Sequence, residues 1–225
     1  MAGSYYSKRL AAERLRSCYE LAPPRVRQYL AAEVRHAGGR IGATHTVLEL
    51  GCGYGRVMEA LAGQAARIVG IDTSEPSLQL GSACLRSVDN CSLARMDALA
   101  LAFADQAFDV VLCIQNGISA FGVDRLALMR ESLRVTRPGG RVLFSSYSER
   151  FWEHRLEWFR RQSEHGLLGE IDSRATGNGV VVCKDGFRAT TVGPAEFRVL
   201  AAELDVRPHI EEVDGSSVFC EIRVS

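Results

Sequence analysis

The run Val47-Leu48-Glu49-Leu50-Gly51-Cys52-Gly53-Tyr54-Gly55 decides how the rest of this 225-residue chain is read. Apolar residues ending at Leu50 make a short strand, three glycines follow at alternate positions, and a helical pattern opens at Arg56. Glycine tolerates positive φ and lets a ligand approach the main chain, so a strand, a glycine loop and a helix in succession form a ligand cradle. Spacing bears on which ligand. A dinucleotide fingerprint needs G-x-G-x-x-G, whereas here the pattern is G-x-G-x-G with an acid two residues before the first glycine.

Strands and helices alternate on from the loop. Residues 67–71 read as a second strand; Ser74 can cap a helix that has Pro76 in its first turn and runs to about residue 87. Residues 91–95 and 108–114 read as strands, the latter a continuous apolar run of the kind buried on both faces. A helix over 124–136, the turn Pro138-Gly139-Gly140 and a fifth strand over 141–147 follow. Such alternation implies a parallel sheet with helices on both faces. The rhythm then breaks. A helix over 149–165 precedes a hairpin signal around Lys184-Asp185-Gly186, then a helix over 194–204 and strands over 208–213 and 218–224 around Asp214-Gly215-Ser216. Two helices, over 7–20 and 25–36, precede the array. One domain is expected: an N-terminal helical cap (1–45), a core (46–147), an insertion (148–193) and a closing helix and antiparallel hairpin (194–225).

Apolar residues make up 47% and charged residues 24%, an ordinary globular balance. Lys+Arg and Asp+Glu are 27 each, so the net charge is zero, which argues against a protein that mainly holds nucleic acid or an anionic membrane. The zero hides a gradient: residues 1–45 carry +5, residues 194–225 carry −4. The basic segment reads as a solvated helix face or as a lid over an anionic group. No apolar run is long enough to span a bilayer and no secretory pattern is seen at the start. Seven cysteines, none in a C-x-x-C pair, suggest no metal site and fit a reducing, cytoplasmic compartment.

At five places the sequence resembles the class I S-adenosylmethionine-dependent methyltransferases. Glu49-Leu50-Gly51-Cys52-Gly53-Tyr54-Gly55 looks like their first motif, Val69-Gly70-Ile71-Asp72 their second and Arg95-Met96-Asp97-Ala98 their third. Phe108-Asp109-Val110-Val111-Leu112-Cys113 is similar to their fourth strand, and Leu133-Arg134-Val135-Thr136-Arg137-Pro138-Gly139-Gly140 to the turn into the fifth. The resemblance implies a Rossmann-like α/β fold with a seven-stranded mixed sheet, order 3-2-1-4-5-7-6, and S-adenosylmethionine as cofactor with S-adenosylhomocysteine as product. It assigns the ribose hydroxyls to Asp72, with Thr73 beside it, and the adenine to Met96 and Asp97. The methionine portion falls to Gly51, Gly53, Gly55 and Glu49, with backbone carbonyls near Ile114 and Gln115. Arg56 either pairs with the cofactor carboxylate or sits on the helix surface. An N-terminal tyrosine, with Tyr6 the choice, would close over the cofactor.

Methyl transfer is a direct displacement, so a missing catalytic triad is no argument against activity. Acceptor contacts must come from the rims of strands four and five and from the insertion. Asn116 faintly resembles the substrate Asn of the glycine N-methyltransferase branch, and otherwise supplies a turn. Tyr147 is a candidate donor or sulfonium cap, Arg150 a carboxylate anchor and His154 a base; each also has a packing or surface reading. The expectation is a cytoplasmic enzyme methylating a small molecule, preferably an amine carrying an acidic group. The alternatives are O- or S-methylation, a protein or RNA acceptor, and a catalytically silent cofactor-binding regulator.

Overall fold

The computed structural model describes Tyr5 and residues 9–225. Helices α1 (Glu13–Glu20) and α2 (Pro24–Gly38) lead into β1 (Thr46–Leu50), the glycine loop and α3 (Arg56–Leu61). Then come β2 (Arg67–Asp72), α4 (Glu75–Cys84), β3 (Cys91–Arg95), β4 (Phe108–Cys113), the short α5 (Gly117–Ala120), α6 (Arg125–Val135) and β5 (Thr136–Tyr147). The inserted segment carries α7 (Trp152–Glu164) and a small separate hairpin of β6 (Val181–Val182) and β7 (Arg188–Ala189). Helix α8 (Pro194–Glu203) and the strands β8 (Pro208–Val213) and β9 (Ser217–Arg223) complete the chain.

Seven strands form the main sheet in the order β3-β2-β1-β4-β5-β9-β8. Counting only the strands of that sheet, this is the expected 3-2-1-4-5-7-6. β1 to β5 are parallel, and β9 lies antiparallel against β5. The apolar strands are buried on both faces. Leu48, Val111, Phe144 and Cys220 pack towards one helical layer with Phe197 and Met129; Val47, Val110, Leu143 and Phe219 pack towards the other with Met58 and Leu61.

Element boundaries depart from the sequence reading for local reasons. The expected helix over 7–20 is broken before Glu13, where α1 starts, because Ala12 stands at φ 50° and gives its N–H to Ser77 Oγ (2.9 Å) on the core helix α4. β5 starts at Thr136, which pairs with Phe108; a bulge at the Pro138-Gly139-Gly140 turn then shifts the register so that Arg141 faces Val110. Gly139 (φ 79°) donates its N–H to the Val224 carbonyl there (2.8 Å). The inserted helix opens with a 3₁₀ turn at Glu149–Phe151, where Ser148 Oγ accepts the Arg150 N–H (3.2 Å).

The charge gradient has a structural outcome that neither sequence reading anticipated. The basic cap is an intramolecular clamp. Arg9 pairs with Asp185 of the insertion, Arg25 with Asp214 of the closing hairpin, and Arg40 with Glu211 and Glu221 of β8 and β9. Burial pushes the Glu221 carboxyl up, but the hydrogen bonds from Arg40 and Arg141 outweigh it and leave it below its ordinary value. Arg40→Ala is expected to lower the urea-unfolding free energy by about 2 kcal/mol, because it strips one of two cations from a nearly buried carboxylate. Arg16→Ala, whose partners Glu13 and Glu20 are solvated, should change it by no more than about 0.5 kcal/mol. Equal effects of the two substitutions would argue against the clamp.

Candidate active site

A cavity of about 920 Å³ runs from the glycine loop to the inner faces of α1, α2 and α7. It opens outside the carboxyl ends of β1, β2 and β4, where ligands bind in open parallel sheets. Gly51, Gly53 and Gly55 all take positive φ (72°, 55° and 83°). The loop is pinned from β2: Gly51 and Cys52 both donate their N–H to the Ile71 carbonyl (2.8 and 2.9 Å). Asp72 holds the next turn, Oδ2 accepting the Gly53 N–H (2.9 Å) and Oδ1 the Ser74 N–H (2.8 Å). Thr73, Met96 and Asp97 line the same wall, and Asp97 Oδ1 accepts the Leu99 N–H of its own turn (2.9 Å).

Beyond β4, Ile114 lines the cavity, and Gln115 and Asn116 are consecutive residues in the left-handed region (φ 56° and 64°). That conformation is costly for residues with a Cβ. It is held by the Gln115 N–H, which donates to both Glu33 Oε2 (2.8 Å) and Ser145 Oγ (2.7 Å).

Several polar atoms buried at the inner end of the cavity lack partners within the protein: Glu49 Oε2, Arg56 Nε and Nη2, and Gln115 Nε2. Burial pushes the Glu49 carboxyl up to about 8 against the pull of Arg56. The Arg56 guanidinium lies 4.5 Å from the Tyr19 ring centroid, so it faces inward and is not a surface side chain. Orphaned buried groups are costly and call for a ligand. A carboxylate and a guanidinium left open together suit a ligand end that carries both an ammonium and a carboxylate.

The outer end is aromatic. Tyr19, Tyr29, Tyr147, Trp158 and Phe159 line it with Leu10 and Leu30. The Tyr29 and Tyr147 rings are 5.4 Å apart, and burial pushes the phenols of Tyr19, Tyr29 and Tyr147 up, so all three stay neutral. Beneath them the buried Arg155 lies 4.5 Å from the Tyr147 ring centroid and donates to the Gly179 carbonyl (2.8 Å).

The acceptor candidates fare unevenly. Tyr147 lines the cavity. Asn116 borders it, but Oδ1 accepts the Ser146 hydroxyl (2.7 Å) and Nδ2 donates to the Thr190 carbonyl (3.0 Å), so its side chain braces β5 against the insertion. Arg150 and His154 are corrected: both lie outside the cavity. The 3₁₀ turn rotates Arg150 outward to 78% side-chain exposure, where it meets Glu212 (3.3 Å). On α7 the buried face is Arg155, Leu156, Trp158, Phe159 and Gln162, continuing from Phe151, and the exposed His154 falls off it. Tyr6 lies outside the described residues. Burial raises the Cys52 thiol, consistent with a packing residue rather than a nucleophile.

Sequence reasoning missed Tyr19, Tyr29 and Glu33. Glu33 carried a signal: Val26, Tyr29, Leu30 and Ala37 mark the buried stripe of α2, and at helical spacing Glu33 is the one acid on it.

Residues 47–140 match a family model described as a methyltransferase domain. That stretch is a methyltransferase domain, and it holds the motifs that resemble the class I S-adenosylmethionine-dependent superfamily. The chain is 37% identical over 106 residues to a protein named methyltransferase GfsG from Streptomyces halstedii, covering 45% of this chain and 37% of that one. It is 29% identical over 177 residues to ubiquinone/menaquinone biosynthesis C-methyltransferase UbiE of Klebsiella pneumoniae, covering 76% and 63%. The chain thus spans 37 to 63% of the length of these two curated relatives. Among solved structures, the DhpI-SAM-HEP complex superposes with a TM-score of 0.65 at 25% identity, over 97% of this chain and 94% of that one. The orphaned Glu49, Arg56 and Gln115 atoms fit the amino-acid end of S-adenosylmethionine, and Gly51 and Gly53 line the cavity beside it with no side chain in the way. Among the described residues no helix is long and apolar enough to cross a membrane.

Proposed function

We propose that the chain is an enzyme that transfers a methyl group from S-adenosylmethionine to a small molecule. The carrying observation is the continuous cavity, which joins the orphaned charges beside the glycine loop to an aromatic chamber under the cap. When bound, S-adenosylmethionine supplies a methyl group on a positively charged sulfur. Glu49 orients its ammonium, Arg56 and Gln115 its carboxylate, Asp72 its ribose, and Met96 with Asp97 its adenine. The cap and the inserted segment then form the acceptor chamber and exclude water.

A small acceptor is favoured over protein or RNA because α1, α2 and α7 cover the chamber, and because Arg9, Arg25 and Arg40 are committed to internal ion pairs. A cytoplasmic location is part of this proposal and rests on the seven free cysteines. The preference for an amine carrying an acidic group loses its supports: Arg150 and His154 lie outside, the cap charge is neutralised internally, and Asn116 is engaged. Relatives named as O- and C-methyltransferases of quinone biosynthesis point instead to oxygen or carbon acceptors.

Calorimetric titration tests the cofactor. S-adenosylmethionine should bind and NAD should not; NAD binding alone would refute the proposal. Label from methyl-labelled S-adenosylmethionine should enter a metabolite extract, and its appearance only in macromolecules would refute the acceptor class.

Binding should also release a proton. Unliganded Glu49 holds its proton up to about pH 8, and the cofactor ammonium favours the carboxylate. Affinity should therefore rise between pH 6 and 8, by no more than about tenfold per unit, and level off above that range. Titration at pH 7 in buffers of different ionisation enthalpy should show close to one proton leaving in the native protein and none in Glu49→Gln. Proton release that persists in the variant would assign the linkage elsewhere.

A further inference from the structure

The inserted segment brings two polar side chains to the cavity that cofactor binding leaves unused. At about 920 Å³ the cavity sits near the top of the roughly 300–1,000 Å³ spanned by single-ligand pockets, leaving room for an acceptor beside the cofactor. Gln162 lies on the buried face of α7 with Trp158 and Phe159, and all three line the chamber. Gln162 is only 3% exposed, yet its carboxamide makes no hydrogen bond among the described residues. A buried amide without partners is costly and calls for a ligand.

Arg188 opens β7 and lines the same cavity. It is exposed, and it has no ion pair or hydrogen bond among the described residues. The other arginines of the described cavity wall stand elsewhere: Arg56 by the glycine loop, and Arg95 at the end of β3 next to Met96 and Asp97. Arg188 also lines a neighbouring groove of about 600 Å³, so it stands at the mouth between the two. In that groove Arg125 is paired with Glu196, and Asp124 accepts the Ala127 N–H (2.9 Å), which leaves the charge of Arg188 unmatched. The segment that carries Arg188 is fixed to the rim of the main sheet. Arg188 pairs with Val182 across the small hairpin, the Thr190 carbonyl accepts Asn116 Nδ2 (3.0 Å), and the Val192 N–H donates to Ser146 Oγ (2.8 Å).

We infer that Gln162 and Arg188 form an oxyanion subsite, which holds a carboxylate or phosphate group of the acceptor while another atom of the acceptor takes the methyl group. This rests on the methyltransferase reading above and names the acceptor class for the same site: an apolar body with one terminal oxyanion. The body lies against Tyr147, Trp158 and Phe159. The Gln162 amide donates from within the chamber and the Arg188 guanidinium from its mouth. The acid anchor expected at Arg150 thereby moves to Arg188. A cationic acceptor finds no open carboxylate on this side, because Asp185 of the same hairpin is held by Tyr5 (2.6 Å) and Arg9 (2.8 Å).

Three probes with a phenyl body test the subsite: 3-phenylpropanoate, phenyl phosphate and the neutral 3-phenylpropanamide. Each is titrated calorimetrically into protein saturated with S-adenosylhomocysteine. At least one anion should bind about tenfold more tightly than the amide, the tighter of the two identifying the headgroup, and added salt should narrow the margin. Arg188→Ala should bring the anions to within about twofold of the amide. Gln162→Leu keeps a side chain of similar size in the chamber and should weaken anion binding about fivefold. Arg160→Ala, on the exposed face of α7, should keep the preference, which separates a local contact from a change in net charge. Binding of S-adenosylhomocysteine by each variant checks that it is folded. Anions bound no more tightly than the amide, no binding of any probe, or a preference unchanged in Arg188→Ala or in Gln162→Leu would overturn the inference. Absence of S-adenosylhomocysteine binding in the native protein would instead overturn the methyltransferase proposal.

Discussion

Asp72→Ala is expected to weaken S-adenosylhomocysteine binding by at least about 150-fold, close to 3 kcal/mol. The carboxylate stands at the end of β2 and already accepts two backbone N–H groups, from Gly53 (2.9 Å) and Ser74 (2.8 Å). Each oxygen has a further lone pair for the cavity that Asp72 lines. Burial pushes its carboxyl up, and the N–H groups of Ser74, Gly53 and Thr73 only partly offset this, so two added ribose donors would favour the ionised form further. Hydrogen bonds to a charged group contribute about 1.5–3 kcal/mol each, and the alanine variant loses both while also releasing the Gly53 turn. Asp72→Asn keeps a single carbonyl acceptor, too few for both backbone donors, and should lie between the two. The measurement is a calorimetric titration on variants whose circular dichroism melts remain cooperative. An alanine variant that bound within about threefold of the native protein would remove Asp72 from the site.

Gly51→Ala should cost about 2–4 kcal/mol of stability and at least tenfold in S-adenosylhomocysteine affinity, from the sum of left-handed backbone cost and overpacking. Gly51 stands at φ 72°, and a Cβ there would meet Phe121 Cε1 at 2.4 Å and Cζ at 2.5 Å. The backbone cannot yield easily, because Gly51 and Cys52 share the Ile71 carbonyl across to β2. The ring must move instead, and Phe121 itself lines the cavity. Gly63→Ala is the control: nothing lies within 4 Å of its added Cβ, and its effect should stay within about 0.5 kcal/mol. Urea unfolding and titration of both variants check this. Equal behaviour at the two glycines would mean the loop tolerates a side chain.

The core and the cofactor half of the site were legible because their information is local. A strand buried on both faces must be a continuous apolar run, as in residues 110–113 of β4. A loop that must take positive φ at Gly51, Gly53 and Gly55 writes its glycines at fixed spacing. Asp72 is the last residue of its strand, so its place at the carboxyl edge is set by the element that carries it. The acceptor half was not legible in this way. Tyr29 and Glu33 reach Tyr147 and Gln115 only because α2 packs across the ends of β4 and β5, more than 80 residues away along the chain. Local periodicity reports which face of a helix is buried, not what it is buried against. The same limit explains Arg150 and His154, which sit at the right distance along the chain after β5 but are turned outward by the 3₁₀ turn and the phase of α7. Opposite charges at the two ends of the sequence were visible from the start; their meeting as Arg25–Asp214 and Arg40–Glu221 required the closing hairpin to come alongside the cap. Spacing along the chain thus carries the sheet and the glycine cradle, because short-range backbone geometry dictates both. The chamber under the cap exists only through long-range packing, because its walls belong to elements that no local pattern relates.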